Sequence, residues 1–462
     1  MVDVSGADSV MGVRVRANKW MAGVFLSGLC LCQAPLTTAQ TNEDNIPVVV
    51  IPPLPKKPAP ESQQTSQQTQ QTPSQADQDG PVVVIPPLPK KNPPDAPQTQ
   101  PQATPDAGAG IKAPAGKPVR LTLLLPLSSE TLGPAAAWVR AGFLAAYEVE
   151  KDGLSVKIVS TTDIPEEIVS SYTNSLADSD IVIGPLTRNG TAAIADSGAV
   201  RLPTIALTQS DADSGAAAGP TLPPQMLAMG LSVEDEAREA AGWIAGNRVK
   251  KVYVLGTAIS WQRRAVKAFA ARARDLHLTV EQVELVGSFG FLQALDIDRI
   301  KKEVQAEKSP GGYAIFAALD APQTKQLREV IGNDAAIYGT SQMNPVPLPE
   351  RITAEHSPEL NGVRLLDIPW QLQPDHAAVM IYPRSVVEAN RKRNADMERL
   401  YALGIDAFRV ALQIAQQQKQ FDIDGVTGRL KVSFDKGGAH FQRIEPFAIY
   451  REGLATYLSE GH

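Results

Sequence analysis

Residues 119–147 combine hydrophobic and polar patterns that predict one strand, one loop and one helix in succession. The run from Leu121 to Leu127 is too apolar for a strand with one face in water. It therefore predicts the first central strand of a parallel sheet that is covered on both sides. Residues 128–131 follow at the carboxyl end of this strand, where open α/β sheets bind their ligands. An amphipathic helix is predicted over 134–149, with Pro134 in its first turn.

The alternation of apolar strands and amphipathic helices continues through residues 118–462 and falls into two blocks. Short apolar runs predict the strands, and the segments between them have the periodicity of helices. Strands are predicted in the first block at 156–160, 181–183 and 204–207, and in the second at 227–231, 251–255, 279–286, 313–319 and 336–339. Later segments predict a strand at 363–368, a long helical region at 387–419 and a terminal pair of strands at 421–453. Two such blocks predict an α/β protein of two lobes, each a mainly parallel sheet flanked by helices.

The first 39 residues have the pattern of an export signal. Basic residues precede the apolar run from Trp20 to Cys32, which is too short to span a bilayer but fits a signal-peptide core. Small residues before Gln40 allow ordinary cleavage. The chain's two cysteines, Cys30 and Cys32, lie in the apolar run, so lipid attachment to one of them is the competing interpretation. Ordinary export is preferred, because a leucine precedes each cysteine where a lipoprotein signal has a small residue.

Residues 40–117 have the composition of a disordered, Pro/Gln-rich tether. They contain 17 of the 37 prolines and no aromatic residue, so they bury too little apolar surface to offset the entropy of the chain. The sequence PVVVIPPLPKK occurs twice, at 47–57 and 81–91. The repeat is either duplication within a linker or a short binding motif, whose VVVI part could add to a sheet edge and whose PPLPKK part could form a polyproline segment.

The folded part carries few signs of catalysis. Its five histidines do not fall in a metal-binding motif, it lacks cysteine, and it has neither a nucleophile elbow nor a phosphate-binding loop. We therefore expect no catalytic residues, no metal and no cofactor. The net charge of −6 gives no reason to expect nucleic-acid binding.

Five segments of the chain resemble a known family. They are LLLPLSSETLGPAAAWVRAGFLAAYE (123–148), DIVIGPL (180–186), LPTIALTQ (202–209), LSVEDEAREAAGWI (231–244) and FDIDGVTGRLKVSFDKGGAHFQRIEPFAIYREG (421–453). Together they resemble the type I periplasmic solute-binding proteins, and more closely the domain of that fold in lipoproteins that activate penicillin-binding proteins. The resemblance implies three crossovers between the lobes. It places the first lobe at about 118–225 and 342–424, and the second at about 226–341 and 425–455.

The resemblance also implies where a ligand would bind. In type I binding proteins, loops after the first, third and fourth strands of the first lobe hold the ligand, and matching loops of the second lobe face them. The corresponding first-lobe residues here are Ser128, Ser129, Gly184, Pro185, Leu186, Thr208 and Gln209. The second-lobe residues are Ser260, Trp261, Leu319, Asp320, Ser341 and Gln342. Trp261 could stack on a ligand, or it could simply pack against the fold.

Two departures from the family pattern guide the choice of function. Amino-acid-binding relatives have an acidic residue in the loop that reads Gly339 to Gln342 here, and Asp320 is the nearest substitute by sequence order. The best-known activators also carry a helical repeat domain before this fold, where this chain has the Pro/Gln-rich tether. We therefore expect a non-enzymatic activator that contacts a penicillin-binding protein, a peptidoglycan synthase, in the periplasm or tethered to the outer membrane. Membrane contact would come only from the signal peptide or a lipid anchor. The alternative is a receptor that captures amino acids or related small molecules for an ABC importer.

Overall fold

The chain is described here by a computed structural model over residues 117–209, 222–288, 290–307, 312–384, 394–435 and 438–459. The predicted signal peptide, with Cys30 and Cys32, and the tether up to residue 116, with both copies of the repeat, lie outside the described residues. The described part of the chain contains no helix that is long and apolar enough to cross a membrane.

The first sheet consists of parallel strands in the order β2-β1-β3-β4-β5. Leu121, Leu123 and Leu125 of the first strand pack into one hydrophobic core, and Leu124 packs into another on the opposite face. The predicted strand with both faces covered is therefore confirmed. The elements of this block are β1 (Val119–Leu125), α1 (Gly133–Val149), β2 (Leu154–Ser160), α2 (Pro165–Ser175), β3 (Ile181–Ile183), α3 (Arg188–Asp196), β4 (Thr204–Ala206) and β5 (Met226–Ala228).

The second block repeats the same arrangement with one small addition, the hairpin β8–β9. Its parallel strands follow the order β7-β6-β10-β11-β12, which matches that of the first sheet. Ser232 caps the first helix by accepting a hydrogen bond from the Asp235 N–H at 3.3 Å, as the sequence predicts. The elements are α4 (Val233–Gly246), β6 (Lys251–Gly256), α5 (Ser260–Asp275), β7 (Thr279–Glu284), β8 (Gly287–Ser288), β9 (Phe291–Leu292), α6 (Ala294–Ala306), β10 (Tyr313–Ala317), α7 (Ala321–Ile331), β11 (Ile337–Gly339) and β12 (Arg364–Leu366).

The last part of the chain contributes to both lobes. Its elements are α8 (Pro369–Leu372), α9 (Ala377–Ile381), α10 (Ala395–Ala415), β13 (Gln420–Asp424), β14 (Arg429–Asp435), β15 (Gly438–Ile444), β16 (Phe447–Arg451) and β17 (Leu454–Tyr457). Strands β13–β15 form an antiparallel sheet, whereas β16 and β17 extend the second sheet antiparallel to β12. The predicted terminal pair over 421–453 is thus wrong, because in the described residues this region contributes to four strands, β13 to β16.

The strand pairing places the lobe boundaries differently from the sequence. The sequence assigns residues 226–228 to the second lobe, but β5 pairs with β4 of the first sheet. It assigns residues 364–366 to the first lobe, but β12 pairs with β11 of the second. Residues 425–444 go to the first lobe, where Val426, Leu430 and Val432 join the core of β1 and α1. The lobes are therefore joined by three segments, 229–232, 367–368 and 445–446, which we call the hinge.

Candidate functional site

In the first-lobe loop after β1, both predicted serines form hydrogen bonds with other residues of the first lobe. Ser129 is buried, and its Oγ accepts a hydrogen bond from the Leu132 N–H at 3.1 Å. Ser128 is exposed, and its Oγ lies 2.7 Å from the Ser160 Oγ at the end of β2. Ser129 therefore stabilises the entry into α1, and of the two predicted serines Ser128 is the one whose side chain is exposed to solvent.

The loop after β3 holds neighbouring strands together. Gly184 donates its N–H to Ile205 O at 2.8 Å, and Pro185 O accepts the Leu207 N–H at 2.8 Å. A Cβ at position 184 would lie 2.0 Å from Leu124 O, so only glycine fits. Leu186 packs against the core of the first lobe. The sequence predicts this segment as part of the ligand site, but in the structure it packs closely against the ends of β1 and β4.

Gln209, three residues after the end of β4, contacts the second lobe. Its Nε2 donates to the Asp235 Oδ2 at 2.7 Å, and its Oε1 accepts from the Ser232 Oγ at 3.4 Å. The neighbouring Thr208 is half-buried, and its carbonyl accepts a hydrogen bond from the Thr191 hydroxyl at 3.5 Å. Gln209 therefore stabilises the contact between the lobes close to the first hinge segment.

A buried carboxylate beside Gln209 joins the lobes through two arginines. Glu234 of α4 lies 3.0 Å from the Arg188 Nη2 of the first lobe and 2.7 Å from the Arg264 Nε of the second. Burial alone would raise the pKa of Glu234, but the two guanidinium charges and their hydrogen bonds hold it below its usual value. The carboxylate is therefore ionised and bridges the lobes. Trp261, half-buried, lies one turn before Arg264 on α5.

Two predicted second-lobe residues, Asp320 and Leu319, are also used within the fold. Asp320 caps α7: its Oδ1 accepts the Gln323 N–H at 2.9 Å, and the Gln323 Oε1 accepts the Asp320 N–H at 3.3 Å. Burial raises the pKa of Asp320. Leu319 is fully buried, whereas Ser260, the first residue of α5, is exposed.

Ser341 belongs to a buried polar network that sequence reasoning missed, and Arg399 of α10 is its centre. The Arg399 Nε and Nη2 donate to both oxygens of Asp367, in the hinge, at 2.9 and 2.7 Å. The Nη2 also donates to the carbonyls of Ser341 and Asn344, at 3.0 and 2.8 Å. Ser341 in turn donates its N–H to Glu236 at 2.6 Å. Because α10 packs in the first lobe, this network ties it to the second lobe and the hinge.

One pocket of about 280 Å³ lies beside this network. Asp320 and Gln342 of the second lobe line it together with Asp396 and Arg399 of α10. The Arg399 Nη1 donates to the Asp396 Oδ1 at 2.8 Å, so its charge is already matched by Asp396 and Asp367. The structure thus groups Asp320 and Gln342 with residues of α10 that the sequence analysis did not select. The predicted first-lobe residues do not line this pocket.

The signal that could have identified Arg399 is its register in α10. Ala395, Ala402 and Asp406 are buried at helical spacing from it, so the hydrophobic stripe of the helix includes an arginine. A buried arginine must have partners, because an unpaired buried charge is very costly. No pattern in the sequence, however, points to Asp367 as the partner.

Three further acids, Glu236, Glu239 and Glu445, lie at the hinge, and we call them the hinge acids. Burial is the main cause that raises the pKa of each; for Glu239 it reaches about 7. The Glu445 N–H donates to the Glu239 Oε2 at 3.2 Å. Arg443 holds the first hinge segment by donating to the carbonyls of Gly230 and Met229, at 2.7 and 2.8 Å. In the described residues, no group of three or more acids, histidines and cysteines is arranged to hold a metal.

The hinge acids predict that folding stability falls as pH rises from about 5 to 7. In this range the Glu239 carboxyl of the folded chain keeps its proton, because its pKa is about 7, whereas the unfolded chain with a pKa near 4.5 has lost it. The folded state binds more protons, so each such group lowers the free energy of unfolding by up to about 1.4 kcal/mol per pH unit. Glu239→Gln should flatten this slope in urea unfolding at pH 5, 6, 7 and 8. The exposed Glu148→Gln is the control, and an unchanged slope for Glu239→Gln would contradict the assignment.

The fold and hinge define the class of this protein: two α/β lobes of matching strand order joined by three crossovers, as in the periplasmic-binding-protein-like fold. Residues 102–443 match the family described as LppC putative lipoprotein. The chain therefore belongs to this family, and the sequence-based assignment of family and fold is confirmed.

Two curated relatives share one functional name, penicillin-binding protein activator LpoA. The chain is 25% identical over 321 residues to the penicillin-binding protein activator LpoA of Pasteurella multocida, with 67% of this chain and 50% of that protein covered. It is 24% identical over 349 residues to LpoA of Vibrio cholerae serotype O1, with 68% and 55% covered. The chain thus spans about half the length of the curated relatives it matches.

Solved structures support the fold. The LpoA (YraM) C-domain from Haemophilus influenzae, a regulator of PBP1A, is 20% identical with a TM-score of 0.55, and 73% of this chain and 99% of that chain are covered. A structure described as a putative branched-chain amino acid ABC transporter from Chromobacterium violaceum is 31% identical with a TM-score of 0.56, covering 72% and 100%. The same fold therefore occurs in a protein described as a regulator of PBP1A and in one described as a putative ABC transporter.

Proposed function

We propose that this protein is a non-enzymatic activator of a penicillin-binding protein, acting by direct contact in cell-wall synthesis. Membership of the LppC family and relatives named as penicillin-binding protein activators support this function. The observation that carries it over solute capture is the use of the predicted ligand residues. Ser129, Gln209, Asp320 and Ser341 are all hydrogen bonded within the chain, at helix starts or between the lobes.

A rigid surface on this protein would provide a physical mechanism for activating the partner. A partner that binds the activator only in its active arrangement is shifted towards that arrangement by the difference in affinity between the two states. The contacts at Arg399 and Glu234 keep the two lobes in one relative position, so the partner meets a surface that is presented without an ordering cost. Catalytic groups on this protein are not needed for such an effect.

A second candidate function, solute binding for an ABC importer, is favoured by one observation. The pocket of about 280 Å³ places the carboxylates of Asp320 and Asp396 beside amide side chains. An amine or polyol could bind to such a lining. The Chromobacterium violaceum relative supports this alternative through its name.

The two functions predict different results for the purified chain. An activator should increase the rate of glycan polymerisation by a class A penicillin-binding protein of the same organism, measured with fluorescent lipid II. It should show no thermal shift with branched-chain amino acids or peptides. A solute receptor should leave the polymerisation rate unchanged and gain roughly 3 °C or more with a ligand present well above its dissociation constant. Heat-denatured protein is the control for the polymerisation assay.

We further propose that the protein works in the periplasm, attached to the envelope. The family description as lipoproteins supports lipid attachment at Cys30 or Cys32, in contrast to the ordinary export that the flanking leucines favour. A lipid on either cysteine would hold the folded part by the Pro/Gln-rich tether. Detergent partition of Cys30→Ser and Cys32→Ser chains separates the two forms, because only loss of a real anchor moves the protein into the aqueous phase.

A further inference from the structure

A groove of about 350 Å³ lies on the second lobe between α5 and β7. Arg263, Lys267 and Arg274 line its helix side, at positions that share one face of α5. Gln282, Val283 and Glu284 line its strand side. None of its lining residues belongs to the hinge segments or lines the pocket beside Arg399.

The strand side of the groove is a sheet edge with unpaired backbone groups. β7 ends the second sheet, and among the described residues only β6 pairs with it. Thr279 and Leu285 donate their N–H groups towards β6, to Lys250 O and Gly256 O at 2.8 Å each. Because the direction alternates along a strand, Val280, Gln282 and Glu284 direct their N–H and C=O groups outwards. Such an edge is a template for one more strand.

The helix side gives this edge a positive charge, although the whole chain carries −6. Three basic side chains face the groove, and Glu284 is the acid that opposes them. The Arg263 Nη2 is 3.5 Å from the Glu284 Oε1, and both side chains are more than half exposed. An exposed pair of this kind is weak, so the groove keeps a net positive charge.

An exposed apolar patch continues the groove beyond the carboxyl end of β7. Phe291 and Leu295 are 68% and 81% exposed, and Val286 and Ile259 are also exposed. A Cβ built on Gly287 would lie 2.9 Å from the side chain of Thr257 and 3.4 Å from Phe291 O, so the hairpin β8–β9 lies against the loop that carries Ile259. Large exposed apolar residues beside a charged groove are typical of protein-binding surfaces.

We propose that the groove between α5 and β7 binds an extended acidic segment of the partner protein, which adds to the outer edge of β7 as a further strand. Its acidic side chains contact Arg263, Lys267 and Arg274, and apolar residues at its end cover the patch around Phe291. This surface rests on the proposed function, because it is where the contacted protein docks. It uses the strand-addition mode of peptide recognition, in which backbone hydrogen bonds supply affinity and side chains supply specificity.

Charge complementarity favours this occupant over two others. A second copy of this chain, pairing β7 with β7, would bring two basic stripes together. The duplicated PVVVIPPLPKK segment ends in two lysines and contains no acid, so the same basic stripe repels it. A free anion would satisfy the three basic side chains but leave the outward C=O groups of β7 unused.

Two kinds of variant test the groove in the full chain. The first is the triple reversal Arg263→Glu, Lys267→Glu and Arg274→Glu, with Arg272→Glu as its matched control, since Arg272 is exposed on the same helix but does not line the groove. The second is Gln282→Pro, which removes an outward N–H without touching the ladder to β6, with Gln282→Ala as its control. Binding is measured against a purified class A penicillin-binding protein from the same organism.

We expect the reversal and the proline variant each to weaken binding by about tenfold or more, and both controls to bind like the parent chain. Hydrogen exchange at Val280, Gln282 and Glu284 should slow when the unmodified chain binds its partner. Equal binding by all variants, or unprotected amides, overturns the groove while the proposed function stands. If the triple reversal weakens binding but Gln282→Pro does not, the groove binds anionic groups without strand addition, and this result also overturns the proposal. If the unmodified chain does not bind the synthase, the proposed function itself fails, and the docking role falls with it.

Discussion

Replacing Gly404 by alanine is expected to destabilise the protein by about 3 kcal/mol, although alanine is the better helix former. Gly404 of α10 and Gly142 of α1 lie where the two helices cross. A Cβ at 404 would be 2.1 Å from Val139 O and 2.8 Å from the Phe143 N. A Cβ at 142 would be 1.9 Å from Tyr401 O. Since these are backbone atoms, the helices must move apart, and the edge-to-face contact of Phe143 with Phe408, 5.4 Å between ring centroids, loosens as well.

The matched control is Gly242→Ala in the middle of α4. Apart from its chain neighbours and the backbone of α4 itself, no described atom lies within 4 Å of a Cβ at this position. The same chemical change should there raise the free energy of unfolding by about 0.5–1 kcal/mol, the ordinary helix-propensity gain. Urea unfolding followed by circular dichroism measures both variants. If Gly404→Ala were as stable as Gly242→Ala, the close contact of α1 and α10 would be wrong.

Replacing Arg399 by methionine is expected to cost about 3–5 kcal/mol of folding stability. Asp367 is fully buried, and the arginine supplies both of its charge-matched hydrogen bonds. Without the guanidinium, the buried Asp367 carboxylate keeps, among the described residues, only the Asn344 side chain and the Ile368 N–H as donors. The carbonyls of Ser341 and Asn344 lose a donor too. We also expect faster hydrogen exchange in the hinge segment 367–368.

Two further variants identify the source of this loss. Adding Asp367→Asn to Arg399→Met removes the unpaired charge, so the double variant should recover roughly half of the lost stability. Lys157→Met removes one partner of an exposed pair with Asp178, 3.4 Å apart, and should cost less than about 1 kcal/mol. A loss for Arg399→Met no larger than that for Lys157→Met would mean that the network does not hold the lobes.

The two results bear on function through the same property, the fixed arrangement of the lobes. A solute receptor of this fold needs a hinge that opens and closes. Here the hinge segments are held by Arg399 and Arg443, and Glu234 bridges the lobes beside them. In the Arg399→Met variant this network no longer holds the two lobes together. If the proposed function is right, the variant should therefore activate the synthase less well under conditions where it remains folded. Thermal response to solutes should not improve, if the activator assignment is correct.

Local patterns were sufficient wherever neighbours in sequence determine structure. Every residue of the run 121–125 is buried in the structure. The apolar pattern of the run was therefore enough to predict a strand covered on both faces. Ser232 caps α4 because its partner, the Asp235 N–H, is three residues away. Asp320 shows how the same kind of signal was overlooked: Asp320 and Gln323 have the spacing of a capping box, and the structure uses them in that way.

Patterns failed where two distant segments had to be matched. Strand β12 has an apolar face that either lobe could bury, and only its pairing with β11 assigns it to the second. Gly404 looks unfavourable in a helix until Val139 is placed against it. Arg399 looks misplaced on an apolar stripe until Asp367, 32 residues earlier, lies beside it.

The sequence by itself thus determined the α/β class, the two lobes, the family and the segments that form most strands and helices. Hydrophobic periodicity and caps are short-range properties, and they can be read without knowing what packs where. Only the tertiary structure decided the lobe boundaries, the inter-lobe ties at Glu234 and Arg399, and the basic groove beside β7. Each of these features depends on which residues, distant in sequence, are packed against one another. In such contacts an unpaired buried charge or a backbone clash is costly, and this cost selects one arrangement.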